Sequence, residues 1–258
     1  MNKNEPYSGT QSVLRAVTML EAFTDENPAW HASELAEALR LNRTTVYRLL
    51  TALESAEYVV RDPASDSYRL GSGLIVLGGR AQRANSVRAT SRPELEQLAA
   101  VTGDTATLEV LAGREVVIIE EIPGEYLTSG KQEIGTRWPA HATSTGKAIL
   151  AHLPEAGLEA FLSGPLVAHT RYTITDPAEL CRDLDKVRAT GYAAAAEELE
   201  LGYVAVGAPV WDGEGNVSAA ISVGGARVRF TAGRIREVGS LLLAAADRIS
   251  YQLGYRAV

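Results

Sequence analysis

The 258-residue sequence is poor in residues that build disulfide or metal frameworks, with one cysteine, Cys181, and four histidines. A single cysteine cannot form an internal disulfide, and the scattered histidines have no metal-ligand spacing. Folds held together by disulfides or by zinc are therefore excluded, and we expect neither a metal nor a cofactor. Cys181 has no histidine near it in the sequence, so it is interpreted as an unreactive thiol rather than a catalytic one.

Long hydrophobic runs are also missing. No apolar segment approaches the roughly 18 residues that a membrane-spanning helix needs, and the first residues lack the apolar stretch of a secretory signal. These absences predict a cytoplasmic protein with no membrane partner. The composition, with 46% hydrophobic and 22% charged residues, is typical of a globular protein long enough for two domains.

The chain has no excess of positive charge. Its 25 lysines and arginines are outnumbered by 32 aspartates and glutamates, which gives a net charge of −7. Such a chain does not coat nucleic acid by bulk attraction, so any nucleic-acid surface must be local. Residues 40–50, RLNRTTVYRLL, are a local exception because they carry three arginines and no acid.

Three helices are predicted in the first 56 residues. Residues 12–24 have apolar side chains at helical spacing, namely Val13, Ala16, Val17, Leu20 and Phe23. We expect Ser33 to cap a short second helix over ELAEAL and Asn42 to cap a third that runs to about Ala56.

The third predicted helix has two different faces. Its apolar face, which requires a core, consists of Val46, Leu49, Leu50 and Leu53. Its opposite face repeats the same spacing with Thr44, Tyr47, Arg48 and Thr51. Hydroxyl and guanidinium groups read base edges and bind phosphates, so this face is a candidate DNA-reading surface. For one helix taken alone, a solvated amphipathic helix is the alternative.

Two strand-like runs, YVVR at 58–61 and YRL at 68–70, flank the turn-rich DPASDS. Three helices followed by a hairpin predict a winged helix-turn-helix, in which the third helix enters the major groove and the wing touches the DNA backbone. The candidate DNA-binding residues are Gln11, Arg15, Ser33, Asn42, Arg43, Thr44, Thr45, Tyr47, Arg48, Arg61 and Arg69. For Gln11, Arg15, Ser33 and the wing arginines, ordinary exposed polar residues remain the alternative.

Residues 72–88 predict a further helix that contains Gly78 and Gly79. Each glycine costs a helix about 1 kcal/mol relative to alanine, so the pair indicates either a hinge or a close helix packing. A nucleotide-binding interpretation of GSGLIVLGG fails, because the third glycine of GxGxxG is missing and no βαβ pattern surrounds it.

The rest of the chain predicts an α+β domain with a largely antiparallel sheet. A helix over 93–101 precedes strands at 105–113 and 114–122, and a second hairpin joins strands at 203–212 and 217–225. Further helices are expected at about 144–153, 177–190 and 232–253. A sheet covered by helices in this way leaves a cup for a small ligand where loops converge.

This second domain lacks the motifs of an enzyme. STGK at 144–147 is not a phosphate-binding loop, because His141 and Ala148 stand where that loop needs glycine and serine or threonine. No GxSxG motif occurs, and no group of residues supplies a nucleophile, a base and an orienting group together. We therefore predict a non-enzyme. Ser144 and Thr145 begin a predicted helix, where they either face a polar ligand or simply cap the helix.

The segments QSVLRAVTMLEAF, SELAEALRLNRTTVYRLLTALESAEYVVRD and YRLGSGLIVLG resemble the N-terminal domain of IclR-type bacterial transcription regulators. The resemblance continues through RWPAHATSTGKAILAHLP, TRYTITDPAEL and VRATGYAAAAEELELGYVAVGAPVWDGEGNVSAAISVGG, so it covers almost the whole chain. It implies a winged helix-turn-helix domain (1–71) joined by a linker helix (72–90) to a GAF-like α+β effector-binding and oligomerisation domain (91–258).

The resemblance implies a sequence-specific regulator, with a repressor favoured over an activator, whose binding to double-stranded operator DNA is modulated by a small-molecule effector. The effector is expected to be an organic acid or an aromatic compound, and the protein a homodimer or a dimer of dimers. The family's effector site corresponds to Leu127, Ser144, Thr145, Glu197, Tyr203, Ala205, Ser222 and Gly224. A metabolite-binding protein that uses its N-terminal domain for protein contacts, and a small-molecule enzyme, are the alternatives.

Two positions depart from the family pattern. Glu57 stands where the family usually has a glycine, which predicts a different helix end or strain. The stretch 193–196 is all alanine where the family often has acidic residues, which removes carboxylates that would hold a hydroxylated or protonatable effector. Ser222 alternates with apolar neighbours, so its side chain faces either a pocket or solvent.

Overall fold

The computed structural model describes residues 10–84, 86–126 and 133–256. The chain divides into two compact units, Met1–Ala84 and Asn85–Val258. The helix expected over 72–88 corresponds to two described helical segments, Ser72–Ala84 and Ser86–Thr102, on either side of Asn85, which lies outside the described residues. The second segment also contains the helix expected over 93–101. None of the described helices is long and apolar enough to cross a membrane.

The N-terminal unit contains the predicted three helices and hairpin. Its elements are α1 (Gln11–Glu21), β1 (Ala29–Trp30), α2 (Ala32–Ala38), α3 (Arg43–Ser55), β2 (Val59–Arg61), β3 (Tyr68–Leu70) and α4 (Ser72–Ala84). The three strands form an antiparallel sheet in the order β1-β3-β2. The strand β1 was not predicted, because a strand of two residues leaves too little pattern in the sequence.

The core of this unit lies between α1, α2 and α3. Its buried residues include Met19, Phe23, Leu35, Val46, Leu50, Leu53 and Tyr68, so the predicted apolar face of α3 is confirmed. The expected face of α1 is partly wrong, because Val13 is 64% exposed and Val17 is 46% exposed. The helix buries Met19 instead, which leaves these two side chains outside the core.

The cap predicted for α3 is confirmed, and that predicted for α2 is wrong. The side chain of Asn42 accepts a hydrogen bond from the N–H of Thr45 at 2.7 Å. His31, rather than Ser33, is the N-cap of α2, and the Glu34 carboxylate accepts the N–H of His31 at 2.9 Å. Ser33 therefore lies inside the first turn. The cap lies two residues earlier than predicted because Glu34, three residues after His31, satisfies the backbone N–H of His31.

The strain expected at Glu57 is present. This residue has a φ of +59°, a left-handed conformation that costs a residue other than glycine about 1–2 kcal/mol. Its N–H donates to the carbonyl of Glu54 and its carbonyl accepts the N–H of Gly73, both at 2.9 Å. The carboxylate also accepts the Ser72 hydroxyl at 3.1 Å. These bonds hold Glu57 at the end of α3 in the conformation that a glycine favours.

The C-terminal unit is the predicted α+β domain. Its elements are α5 (Ser86–Thr102), β4 (Thr105–Ala112), β5 (Glu115–Ile122), β6 (Arg137–Pro139), α6 (Ser144–Leu150), α7 (Glu155–Leu162), α8 (Pro177–Thr190), β7 (Ala193–Ala196), β8 (Tyr203–Trp211), β9 (Val217–Ala226) and α9 (Ala232–Gln252). The sheet is antiparallel with the order β6-β5-β4-β9-β8-β7. The short elements β6, β7 and α7 were not predicted.

Helices cover both faces of this sheet. On one face α5 and α9 pack against the side chains of Val204, Val206, Ile221 and Val223. On the other face α6 and α8 pack around Ile149, Leu180 and Ala220. The strand alternation therefore turns Ala205 of β8 and Ser222 of β9 toward the face that carries α6. This face holds the cavity described below.

Candidate functional site

The predicted DNA-reading face of α3 is exposed. Thr44, Tyr47, Arg48 and Thr51 all lie on the surface, opposite the buried Val46 and Leu50. The Thr51 hydroxyl donates to the main-chain carbonyl of Tyr47 at 2.9 Å, so it retains only acceptor capacity for a partner. The phenol of Tyr47 and the guanidinium of Arg48 are the two groups of this face with the longest reach.

The start of α3 adds polar groups beside that face. Arg43 is exposed in the first turn of the helix. Asn42 and Thr45 were both predicted to contact DNA, but they bond to each other to form the N-cap, and Thr45 is half-buried. On the other helices Gln11 and Ser33 are exposed, whereas Arg15 is half-buried.

The two arginines predicted for the wing lie in different surroundings. The Arg61 Nε donates to Asp66 Oδ1 at 2.6 Å, and this carboxylate raises the pKa of Arg61. Arg61 is therefore held within the hairpin by an acid from the turn, a contact that sequence reasoning missed. Arg69 lies on the neighbouring strand, opposite Val60, and is exposed.

The C-terminal unit contains a cavity between the start of α6 and the sheet, with an empty volume of about 420 Å³ counted out to its opening. The cavity is lined by Glu109, Trp138, Ala142, Thr143, Ser144, Thr145, Ala195, Glu198, Leu199, Glu200, Tyr203, Ala205 and Ser222. These residues come from five strands, from α6 with the turn before it, and from the segment after β7. The wall combines apolar surface with carboxyl and hydroxyl groups.

Five of the eight residues predicted for effector binding line this cavity, namely Ser144, Thr145, Tyr203, Ala205 and Ser222. Leu127 lies outside the described residues. Of the two alternatives for Ser222, the structure thus gives the pocket side rather than solvent.

Glu197 and Gly224 are not in the cavity lining. Glu197 has a φ of +60°, and its carboxylate accepts the N–H of Gly202 at 2.9 Å, so it shapes the turn before β8. A Cβ added at Gly224 would collide with the hydroxyl oxygen of Tyr203. Glycine at this position therefore makes room for the Tyr203 ring.

Thr143, the residue before Ser144 and Thr145, is the N-cap of helix α6. Thr143 Oγ1 accepts the N–H of Gly146 at 3.2 Å. Capping is therefore the wrong interpretation for Ser144 and Thr145. The Thr145 hydroxyl instead donates to Glu109 Oε2 at 2.6 Å, and Ser144 is buried against the cavity.

Glu109 is the centre of a buried hydrogen-bond chain on the sheet. Thr107 Oγ1 donates to Glu109 Oε1 at 2.9 Å, and the hydroxyls of Thr107 and Ser222 are 2.8 Å apart. Since Thr107 gives its only hydroxyl proton to Glu109, Ser222 is the donor in that second bond. Burial raises the pKa of Glu109, although the bonds from Thr145 and Thr107 act in the opposite direction.

A second buried carboxylate, Glu198, belongs to an ion cluster around Lys147, the lysine of STGK. The ammonium group donates to Glu198 Oε1 at 2.7 Å, to Asp183 Oδ2 at 2.9 Å and to the carbonyl of Ala194 at 2.8 Å. All three of its protons are therefore used within the protein. Burial raises the pKa of Glu198, while Lys147 acts in the opposite direction.

The two carboxylates correct the expectation that the alanines at 193–196 deprive the pocket of acids. Glu109 and Glu198 were both missed in the sequence. A signal for Glu109 was present, because it interrupts the apolar strand TATLEVLA in a chain where such positions face the core. Among the residues described, no group of three or more histidine, cysteine or acidic side chains is placed to hold a metal ion.

Two family models match the chain, one for each unit. Residues 12–63 match the IclR helix-turn-helix domain, and residues 80–251 match the bacterial transcriptional regulator IclR C-terminal domain.

The chain is also similar to curated regulators over nearly their whole length. It is 33% identical over 248 residues to the HTH-type transcriptional regulator XynR of Escherichia coli, covering 96% of this chain and 98% of XynR. It is 30% identical over 249 residues to the HTH-type transcriptional repressor AllR of Klebsiella pneumoniae, covering 96% of this chain and 92% of AllR.

Solved structures share the architecture. An IclR transcriptional regulator from Alicyclobacillus acidocaldarius matches with a TM-score of 0.84 and 32% identity, over 94% of this chain and 98% of that one. An IclR homologue from Microbacterium hydrocarbonoxydans, complexed with 4-hydroxybenzoate, matches with a TM-score of 0.81 and 27% identity over the same shares.

Proposed function

Because the chain belongs to the IclR family of bacterial transcriptional regulators, we propose that it reads operator DNA with α3 and senses its effector in the cavity beside α6. The chain is a ligand-modulated, helix-turn-helix DNA-binding regulator, and its family and relatives are not enzymes.

The exposed polar face of α3 is the observation that carries the DNA-reading role. Arg48 is placed to bond a guanine edge, with Thr44, Tyr47 and Thr51 beside it on the same face. Arg43 at the helix start and Arg69 on the wing contact phosphates, which position the protein without specifying sequence. Gln11, Arg15 and Ser33 serve the same purpose, whereas Asn42, Thr45 and Arg61 act by holding α3 and the wing in shape.

Exposed apolar side chains in the N-terminal unit support a homodimer, or a dimer of dimers. Val13, Leu14 and Val17 are exposed on α1, and Ile75, Val76 and Leu77 on α4. Clusters of this kind on a protein surface mark interaction sites. A two-fold dimer matches a palindromic operator whose half-sites lie about one helical turn, roughly 34 Å, apart.

The effector is proposed to be an organic acid or an aromatic compound, as in the homologue that binds 4-hydroxybenzoate. It changes operator affinity to the extent that it binds the DNA-competent and DNA-incompetent states differently. Similarity to the repressor AllR favours repression. A regulator of chromosomal DNA acts in the bacterial cytoplasm. The linker region at 72–90 connects the DNA-binding domain to the effector-binding domain.

The DNA-binding role is tested by fluorescence anisotropy on the intergenic DNA beside the protein's own gene, against scrambled DNA, across a salt series. We expect sequence-preferring binding whose affinity falls steeply with salt, because phosphate contacts release counterions. Weak binding with no sequence preference and no steep salt dependence would favour the alternative in which this unit contacts proteins.

The placement of the effector site is tested with Ser144→Leu, which fills the cavity. We expect this variant to bind DNA normally but to lose its response to 4-hydroxybenzoate. Ser240→Leu is the control, because Ser240 is exposed on α9 and lies outside the cavity lining. An undiminished response in a folded Ser144→Leu protein would refute the placement.

A further inference from the structure

The wing segment at 61–69 has an acidic side chain in contact with one of its two arginines. We propose that Asp66 is a positioning residue that keeps Arg61 from binding a DNA phosphate and so weakens the sequence-independent part of DNA binding. The proposal rests on the proposed role of this hairpin as the wing of a DNA-binding unit. It gives an acid, rather than an arginine, control over how strongly the wing binds phosphate.

The first observation is the contact between the two side chains. Both Nε and Nη2 of Arg61 contact Oδ1 of Asp66, and the Nε donates at 2.6 Å. The guanidinium also lies over the ring of Tyr68 on β3, 5.9 Å from its centroid. Both members of the ion pair are exposed, so a DNA phosphate competes with the Asp66 carboxylate for the same two nitrogens.

The second observation is that main-chain contacts fix Asp66 in the turn. Its φ of +58° is a left-handed conformation, which aspartate and asparagine adopt more readily than most residues. Its N–H donates to the carbonyl of Asp62 at 2.9 Å, and its own carbonyl lies 3.3 Å from Nδ1 of His31, the N-cap of α2. The turn therefore holds the carboxylate beside Arg61, and asparagine can replace Asp66 without disturbing the backbone.

The third observation is the charge of the wing. The segment RDPASDSYR at 61–69 contains two arginines and two aspartates, so it has no net charge. Asp62, the other acid, accepts the N–H of Ala64 and the hydroxyl of Ser65, both at 2.9 Å, so its carboxylate is engaged within the turn. The electrostatic part of DNA affinity grows with the number of phosphates that cations of the protein neutralise. An arginine already neutralised by Asp66 adds little to that number, so removing this acid should add about one phosphate contact.

Asp66→Asn tests the proposal by fluorescence anisotropy of the full chain, on the intergenic DNA beside its own gene and on scrambled DNA. We expect the variant to bind both DNAs more tightly, by about fivefold to tenfold at about 100 mM salt, because one further phosphate contact releases about 0.9 counterion. The same relation makes the gain about threefold larger at about 50 mM than at about 200 mM salt. A variant with a damaged fold would lose affinity, so a salt-dependent gain separates positioning from a purely structural role.

Asp62→Asn is the matched control, because it removes the same charge from the same turn while the ion pair of Arg61 stays intact. Its gain should be at most about twofold, since salt screens an exposed charge that is not in contact with DNA. Adding Arg61→Ala to Asp66→Asn should remove the gain, because the released guanidinium is then absent. Circular dichroism and thermal unfolding identify any variant that fails to fold, and loss of one exposed ion pair should change the melting temperature little.

Equal gains in Asp66→Asn and Asp62→Asn, a gain that survives Arg61→Ala, or no gain in a folded Asp66→Asn protein would each overturn the proposal. Scrambled DNA alone decides this, since a phosphate contact carries no sequence information. A wild-type chain that binds both DNAs equally would instead refute operator recognition and leave the role of Asp66 to be decided by the variants. A chain that binds no DNA in any of these forms would overturn both.

Discussion

The exposed face of α3 and the cavity beside α6 are both polar sites, but they are built in opposite ways. The α3 face is carried by one helix, and its side chains point into solvent. The cavity gathers groups from five strands, one helix and a loop, and its polar side chains are buried and bonded to one another. An exposed surface therefore leaves its polar groups available to a partner, whereas a buried pocket must satisfy most of its own.

Because of this difference, substitutions at the two sites should differ in how they affect function and folding stability. On the α3 face, a substitution of the Tyr47 or Arg48 side chain breaks none of the side-chain hydrogen bonds described above and, under the proposed function, removes a contact with DNA. A substitution in the cavity wall also breaks buried bonds, so it costs folding free energy.

The largest effect is expected for Lys147→Met. Removing the 1% exposed ammonium leaves the carboxylates of Glu198 and Asp183 without their buried partner, which costs about 3–5 kcal/mol in comparable cases. Urea denaturation followed by fluorescence measures the loss. Lys186→Met is the matched control, because Lys186 pairs with the same Asp183 but is 75% exposed, and its loss should cost at most about 1 kcal/mol.

Arg48→Ala should break function while leaving stability unchanged. We expect operator discrimination to fall by about 1–3 kcal/mol, which is the contribution of one base-reading guanidinium. Anisotropy on operator and scrambled DNA measures the discrimination, with Arg236→Ala on α9 as a control outside the DNA-binding unit. Equal losses on both DNAs would reassign Arg48 to a phosphate contact.

Glu109→Gln should remove a pH dependence of the folding stability that originates in the cavity wall. Because burial raises the pKa of Glu109, the folded state holds this proton more tightly than the unfolded chain does. The resulting stability is present at low pH and is lost as the pH rises from the ordinary carboxyl value of 4.5 through the folded pKa. Urea denaturation from pH 5 to 8 should therefore show stability falling more with rising pH in the wild type than in the variant. Parallel curves would contradict a raised pKa.

The smallest effect is expected for Glu57→Gly, at a position outside both sites. Relief of the left-handed strain, less the greater entropy of glycine in the unfolded chain, should raise the free energy of unfolding by about 0.5–1 kcal/mol. Chemical denaturation checks this, and Glu54→Gly, in the helical part of α3, is the control that should destabilise. Destabilisation by Glu57→Gly would mean that the Ser72 contact outweighs the strain.

Much of the architecture was predictable because it follows from local patterns. The 3.6-residue period identified α3, its core side and its exposed side, and Asn42 identified where it begins. Alternating apolar residues and glycine turns identified β4, β5, β8 and β9. The short strands β1, β6 and β7 escaped because two to four residues give too little pattern, and their pairing depends on a neighbouring strand.

Contacts between side chains were less predictable even when they were close in sequence. Arg61 and Asp66 are five residues apart, yet the hairpin register decides that they meet. His31 replaced Ser33 as the cap because the orientation of Glu34 determined which backbone N–H was satisfied. Periodicity placed Val13 and Val17 with the core residues of α1, but the core stops short of them.

The sequence by itself determined the two-unit α+β architecture, the exposed polar face of α3 and the helix start that borders the cavity, because each depends on residues a few positions apart. Only the tertiary structure decided the chemistry of the cavity. Glu109, Thr145, Glu198 and Ser222 are far apart in the chain, and the sheet brings them together. Their burial, their partners and their raised carboxyl pKa values arise from that assembly, since desolvation and hydrogen bonding depend on what surrounds a group in space.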